Sequence, residues 1–347
     1  MDTRDTPEQA ELRRTAQRLA RELGPRTVGD LDDRDRRERL AAAVRDAGWL
    51  ELRRNGGEDA PLASGVEAAI IADALGECVG DVPFIGPILA ADLARRAGVD
   101  PKDDAVVAFA PDLVDVAVTA GTMTDAPILA VDHAAEGPVS AYVLVPEDDG
   151  HRLALVQGDG ASDGADLTRS IRRLPAGLPV LPVPGRPRQL TRADLDAWAA
   201  FGLALTSADL VGAMRGVLDV SVAYAKDRRQ YGVAIGTFQA VQHLLAEARC
   251  LLEGALSAAQ YPAWAVDELE PSEARTTGRV AKAYCARAAR TVCETAVQVH
   301  GGIGNTWDCI VHVHLRRALL SSAWFGDDGE QLRQLERTRL GVPHGLS

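Results

Sequence analysis

Aromatic residues are scarce, at 4% of 347, so an extended surface for stacking nucleic-acid bases is not expected. No basic tract offsets the formal charge of −12, which argues against non-specific nucleic-acid binding. The five cysteines, Cys78, Cys250, Cys285, Cys293 and Cys309, show no CxxC spacing. They read as small buried residues of a reducing compartment, not as a disulfide framework or a zinc site. Met1 runs straight into DTRDTPEQAE without an apolar leader, and no run of about 18 apolar residues follows. A soluble, cytoplasmic protein without membrane attachment is expected. There is no GxGxxG after a strand and no GxxxxGK(S/T), which removes the usual nucleotide-binding loops.

What is present falls into three blocks. Hydrophobic residues make up 46% of the chain, enough for sizeable cores. Residues 1–100 read as helices. Thr6-Pro7-Glu8 is an N-cap with Pro at the first helical position, and Gly24-Pro25 stops the run at Leu23. The charged stretch DLDDRDRRER leads into a second helix closed by Gly48; NGGED, residues 55–59, reads as a loop. Gly65 to Cys78 and Pro83 to Ala97 give two more helical patterns. Residues 101–189 change to short β-branched runs at 105–110, 114–118, 128–131, 141–145, 153–156 and 180–183, cut by Gly, Pro and Asp, as in a small β domain. Asp166 and Arg169 sit at a turn there, where a local salt bridge is the expected reading. Residues 190–347 are helical again. Thr191-Arg-Ala-Asp194 opens a long helix through Leu203, Leu210, Met214 and Leu218 to Tyr224. Further helices are expected from Thr237 past Leu251, from Pro271 to His300, and from Val311 to Phe325.

Two stretches of the last block carry chemistry: YAKDRRQYGVAIGTFQAVQH from Tyr224 to His243, and QVHGGIGNT from Gln298 to Thr306. Their glycines lie in helical surroundings and so mark helix ends, where unpaired N–H groups with Arg nearby form an anion site. Arg228 and Arg229 alone would read as a helix-end pair favoured by the dipole, and Gly301-Gly302 alone as a C-cap. Together the stretches read as a clasp for a phosphate-bearing cofactor. His312 and His314, two apart on a helix, point to different faces, and no metal site is expected.

Those residues resemble the C-terminal signature of the acyl-CoA dehydrogenase family, roughly R-x-Q-F-G-x-x-I-x-x-F-Q followed by Q-x-x-G-G-x-G. The match runs through Arg228, Gln230, Tyr231 (for Phe), Gly232, Ile235, Phe238 and Gln239, then Gln298, Gly301, Gly302 and Gly304. The resemblance implies a mostly α fold: an N-terminal helical bundle, a small, reduced central β domain and a C-terminal four-helix bundle. It also implies FAD, an acyl-CoA thioester substrate desaturated between Cα and Cβ, and an electron-transfer flavoprotein or similar acceptor. In such proteins FAD lies across a subunit boundary. Carried over, Arg228 would meet the pyrophosphate, Gln230, Gln239 and Gln298 would hydrogen-bond the cofactor, Tyr231 would lie beside them, and Gly301 and Gly302 would let it approach closely.

Three family features are missing. The segment that usually holds the catalytic glutamate reads Ala323-Trp-Phe-Gly-Asp-Asp328, with Phe325 at the glutamate's place. The alternative base position, early in the long helix, is Gly202. General-base catalysis needs a carboxylate, and neither residue has one. Asp327 neighbours the lost position, and Glu247 reads as a surface acid. The β domain is short and lacks the T-E-P and G-S-D-like loops that meet the flavin ring. The pattern resembles the base-less partner chains of actinobacterial α2β2 acyl-CoA dehydrogenases that act on steroid side-chain CoA thioesters. It implies that a second, complete acyl-CoA dehydrogenase subunit supplies base and ring pocket. A self-sufficient enzyme with a displaced base, acting on an acyl-CoA or carrier-bound acyl group, and a flavin-free scaffold stay open as alternatives.

Overall fold

The computed structural model describes residues 4–57, 60–134, 137–162 and 164–340. Helix starts are written in the sequence. Thr6 and Gln9 form a capping box ahead of α1 (Pro7–Leu23), Asp33 caps α2 (Arg34–Asp46), and Ser64 with Glu67 boxes α3 (Gly65–Glu77). The NGGED stretch departs from the expected loop: Asn55–Gly57 (β1) pairs with Ala60–Pro61 (β2) as a short antiparallel ribbon. Residues 58–59 lie outside the described residues. No side chain of its own N-cap residue closes α4 (Ile85–Arg96). Asp132 does so instead, accepting from the Phe84 and Gly86 N–H groups at 3.0 and 2.9 Å.

The central sheet holds β3 (Val106–Phe109), β4 (Ile128–Val131), β5 (Val139–Glu147), β6 (Gly150–Gly158), β7 (Ala161–Ser162), β8 (Ile171–Leu174) and β9 (Leu181–Pro182), in the order β7-β8-β4-β3-β5-β6-β9. Among the described strands, β3 and β5 pair in parallel and the other neighbours pair antiparallel. The run 114–118, expected as a strand, makes only isolated bridges, Phe109 with Val116 and Val118 with Leu144. Leu113 just before it has φ of +61°, which breaks the extended path a ladder needs. Strand β8 was not foreseen, because Ile171-Arg-Arg-Leu174 buries only its two ends.

The rest is helical: α5 (Arg192–Asp227), the hairpin β10 (Arg229–Gln230) and β11 (Val233–Ala234), then α6 (Gln239–Glu268), α7 (Pro271–His300), α8 (Val311–Ala323) and α9 (Asp328–Arg339). Thr191 and Asp194 box the start of α5 as expected. That helix is long and apolar enough to cross a membrane, but its apolar window is entirely buried in the protein, as in a core helix. The last expected helix stops at Ala323. Phe325 (φ +67°) and Gly326 (φ +90°) turn the chain, and Asp327 caps the additional helix α9.

One buried carboxylate ties the three blocks together. Asp209 on α5 takes Arg317 of α8 at 2.7 Å, Arg169 of the β domain at 2.7 Å and the Ser321 hydroxyl at 2.6 Å. Arg317 also donates to the Gly80 carbonyl. Burial opposes ionisation of Asp209, but Arg169 and Arg317 outweigh it and hold its pKa below the usual value. The expected local Asp166–Arg169 bridge is thus corrected. Asp166 folds back on Thr168, and Arg169 reaches the deeper, less hydrated charge.

His314 lies on the same helix, 3% exposed, with Nδ1 3.2 Å from the Ala213 carbonyl. Burial, helped by Arg317, pushes its pKa down to about 4 from 6.5. Between those values the unfolded chain binds a proton that the folded chain refuses. Stability is therefore complete above pH 6.5 and falls as pH drops towards 4, by up to about 3 kcal/mol. Urea unfolding at pH 7 and pH 5 should show the loss, and His314→Gln should reduce it.

Candidate functional site

The two motif stretches meet at one end of the C-terminal bundle. Tyr224 lies in the last turn of α5, His300 is the last residue of α7, and their rings stack with centroids 4.2 Å apart at 20°. Arg228 is the C-cap of α5. The hairpin then turns through Tyr231 (φ +53°) and Gly232 (φ +83°), the left-handed pair that a two-residue loop needs. Tyr231 is 94% exposed and meets Phe238 edge-on. Arg228, Arg229, Gln230, Gln239, Gln298, Gly301 and Gly302 all face solvent. Among the described residues, neither Arg228 nor Arg229 forms an ion pair.

Gln239 is the first residue of α6, and this N-terminus differs from those of α1, α3 and α5. It has no side-chain cap and no acidic residue in its first turn. The positive end of a 30-residue helix carries no capping side chain and follows two arginines in the sequence, which suits an anion. Gly301 needs glycine for its own backbone, at φ +64°. Gly302 does not: its φ is not left-handed, and an added Cβ would meet nothing within 4 Å of this chain. Its surface is therefore open to solvent. Exposed cations, an uncapped helix start and a bare glycine fit the pyrophosphate side of FAD.

The base positions have another fate. Phe325 and Gly202 are in contact: a Cβ added at Gly202 would lie 2.0 Å from Phe325 Cζ. The two expected base positions therefore converge on one spot, and a benzyl ring fills it. That ring is 5% exposed and packs on Phe109 and Trp198, each with centroids 5.2 Å away. Its backbone is pinned as well. Phe325 N–H donates to the Leu113 carbonyl at 2.8 Å, and Gln331 Nε2 donates to the Phe325 carbonyl at 2.5 Å. Lys282, fully buried, donates to the carbonyls of Ser321 and Trp324, holding the same turn from below. Burial pushes the Lys282 pKa down to about 7.

Asp327, the candidate for a displaced base, is engaged as a helix cap. It is exposed, and its Oδ1 accepts the Glu330 N–H at 2.8 Å as the cap of α9. Glu247 is exposed on α6. His312 packs on Trp307, whereas His314 faces α5. Sequence reasoning named Phe325 and Gly202 separately but missed their contact. It also missed the Tyr224–His300 stack. A usable signal was the glycine itself, since an unexplained Gly inside an apolar helix marks a close approach.

Replacing a mid-helix Gly by Ala normally stabilises by about 1 kcal/mol. At position 202 the clash reverses the sign, and Gly202→Ala should destabilise by about 2 kcal/mol. In a Phe325→Ala background the same change should be neutral or stabilising. Urea denaturation of the four proteins gives the coupling directly.

Residues 201–340 match the family described as acyl-CoA dehydrogenase, C-terminal domain. The acyl-CoA dehydrogenase FadE34 of Mycobacterium tuberculosis is 31% identical over 270 residues, which are 74% of this chain and 37% of that protein. The chain thus spans little more than a third of that relative's length. Among solved structures, the ChsE4-ChsE5 complex of Mycobacterium tuberculosis superposes with a TM-score of 0.79 at 22% identity, covering 99% of this chain and 100% of the matched one. A variant of the Tcur3481-Tcur3483 steroid ACAD gives 0.73 at 21% identity, covering 96% and 98%. These two structures establish the fold, which is the mostly helical one with a small central sheet. Residues 201–340 of this chain thus match an acyl-CoA dehydrogenase C-terminal domain.

Proposed function

We propose that this chain is the non-catalytic subunit of a heteromeric, FAD-dependent acyl-CoA dehydrogenase. The observation that carries the reading is the Phe325 ring seated on Gly202. It closes both base positions, while the cofactor-side residues stay exposed. Among the described residues, neither of the two family base positions carries a carboxylate, so the α-proton of the substrate would be taken by a second subunit. When bound, FAD supplies the acceptor for the β-hydrogen, which leaves as hydride. This chain's own part is to hold. Arg228 and Arg229 offer permanent charge to the diphosphate, and the open start of α6 adds its N–H groups. Gln230, Gln239 and Gln298 hydrogen-bond the cofactor's polar edges, and Gly301-Gly302 leaves room for close approach.

The likeness to one structure described as a complex and another described as a steroid ACAD supports a heteromeric pair acting on a steroid side-chain CoA thioester. Electrons would leave through an electron-transfer flavoprotein or a similar acceptor. The test is turnover of acyl-CoA thioesters by the chain alone and co-purified with a complete acyl-CoA dehydrogenase subunit. Activity in the pair only is expected. Turnover by the single chain, abolished in Asp327→Asn, would support the displaced-base enzyme instead.

A further inference from the structure

The clasp is made of two separate pieces of chain, and its spacing depends on what joins them. The geometry points to the Tyr224–His300 stack as that brace: we infer that these two rings are positioning residues that set the distance between Arg228 and Gly301-Gly302. The inference rests on the cofactor-holding role proposed above. Tyr224 is one turn before Arg228, and its carbonyl accepts the Arg228 N–H at 2.8 Å, the closing bond of α5. Arg228 in turn accepts the Ile235 N–H at 2.8 Å, so the hairpin is fixed to the same point. His300 immediately precedes Gly301. It is 6% exposed, and its Nδ1 bonds the Ala296 carbonyl at 2.8 Å, which locks the ring against its own helix.

The rings are nearly parallel at 4.2 Å, so a shift of either helix end would lose the face-to-face contact. Neither side chain is needed at the surface of the clasp; both act through the backbone ends they fix. Sub-ångström placement of binding groups is what such supporting contacts provide.

The experiment measures FAD affinity of the deflavinated, co-purified pair by titration with FAD, followed by flavin fluorescence. His300→Ala should weaken binding by about three- to tenfold, the range an aromatic pair supports. His300→Phe, which keeps a flat ring, should stay within about twofold of the parent on the same argument. Arg228→Ala is the control for the underlying reading. If it leaves FAD affinity unchanged, the cofactor-holding role itself fails. If it weakens binding while His300→Ala does not, the brace alone is overturned. Equal losses in His300→Ala and His300→Phe would also overturn it, since the stack would then not be the relevant contact. Should His300→Ala fail to assemble with the partner, Tyr224→Leu carries the same expectation, with Tyr224→Phe as its rescue.

Discussion

Arg228→Ala should strip most of the flavin from the assembled pair. A charge-assisted contact to a phosphate is worth about 1.5–3 kcal/mol, so FAD affinity should fall by roughly ten- to a hundredfold. The fold should not suffer, because Arg228 is exposed and forms no ion pair among the described residues. Thermal unfolding of the isolated subunit should stay within about 0.5 kcal/mol of the parent. Lysine at this position should restore only part of the loss, since a point charge replaces a fork. The readouts are flavin absorbance of the purified pair and acyl-CoA turnover at low and saturating FAD. Recovery of turnover at high FAD would separate a weakened clasp from a damaged catalytic site.

Phe325→Glu should not create an enzyme. The exchange removes a ring packed on Phe109, Trp198 and Trp324 and puts a carboxyl group into the same apolar space. Truncating a buried aromatic costs about 3–5 kcal/mol, and the new carboxyl would stay protonated because burial disfavours its charged form. A neutral acid cannot serve as a base at neutral pH. The expected result is a lower urea midpoint and no turnover by the chain alone. A stable, active homo-oligomer from this single change would mean that the rest of the ring pocket had been present all along.

The helical blocks were legible because their starts are local chemistry. The Thr191–Asp194 box, like Thr6 with Pro7, needs only neighbours a few residues away. The proposed cofactor clasp is likewise drawn from two short contiguous motifs. What escaped was non-local. Asp209 sits in an apolar helical run, and nothing near it in sequence shows that Arg169 and Arg317 converge on it from the β domain and α8. The same applies to the Val114–Val118 run, whose β-branched composition favours a strand. It hydrogen-bonds to β3 and β5 only through isolated bridges, just after the left-handed turn at Leu113. Gly202 and Phe325 were each recognisable as the wrong residue for a base. That they are complementary, the bare helix position accommodating the ring, is a property of packing alone.

The most direct measurement is the ratio of flavin to protein, from visible absorbance, in the chain purified alone and after co-expression with a complete acyl-CoA dehydrogenase subunit. A chain that holds only the pyrophosphate side of the cofactor and none of the chemistry should be colourless by itself. It should carry about one FAD per pair once assembled, because the binding groups are split between the two subunits. Flavin bound stoichiometrically to the single chain, together with turnover, would contradict the account; colourless preparations in both cases would leave the fold as a scaffold without a cofactor.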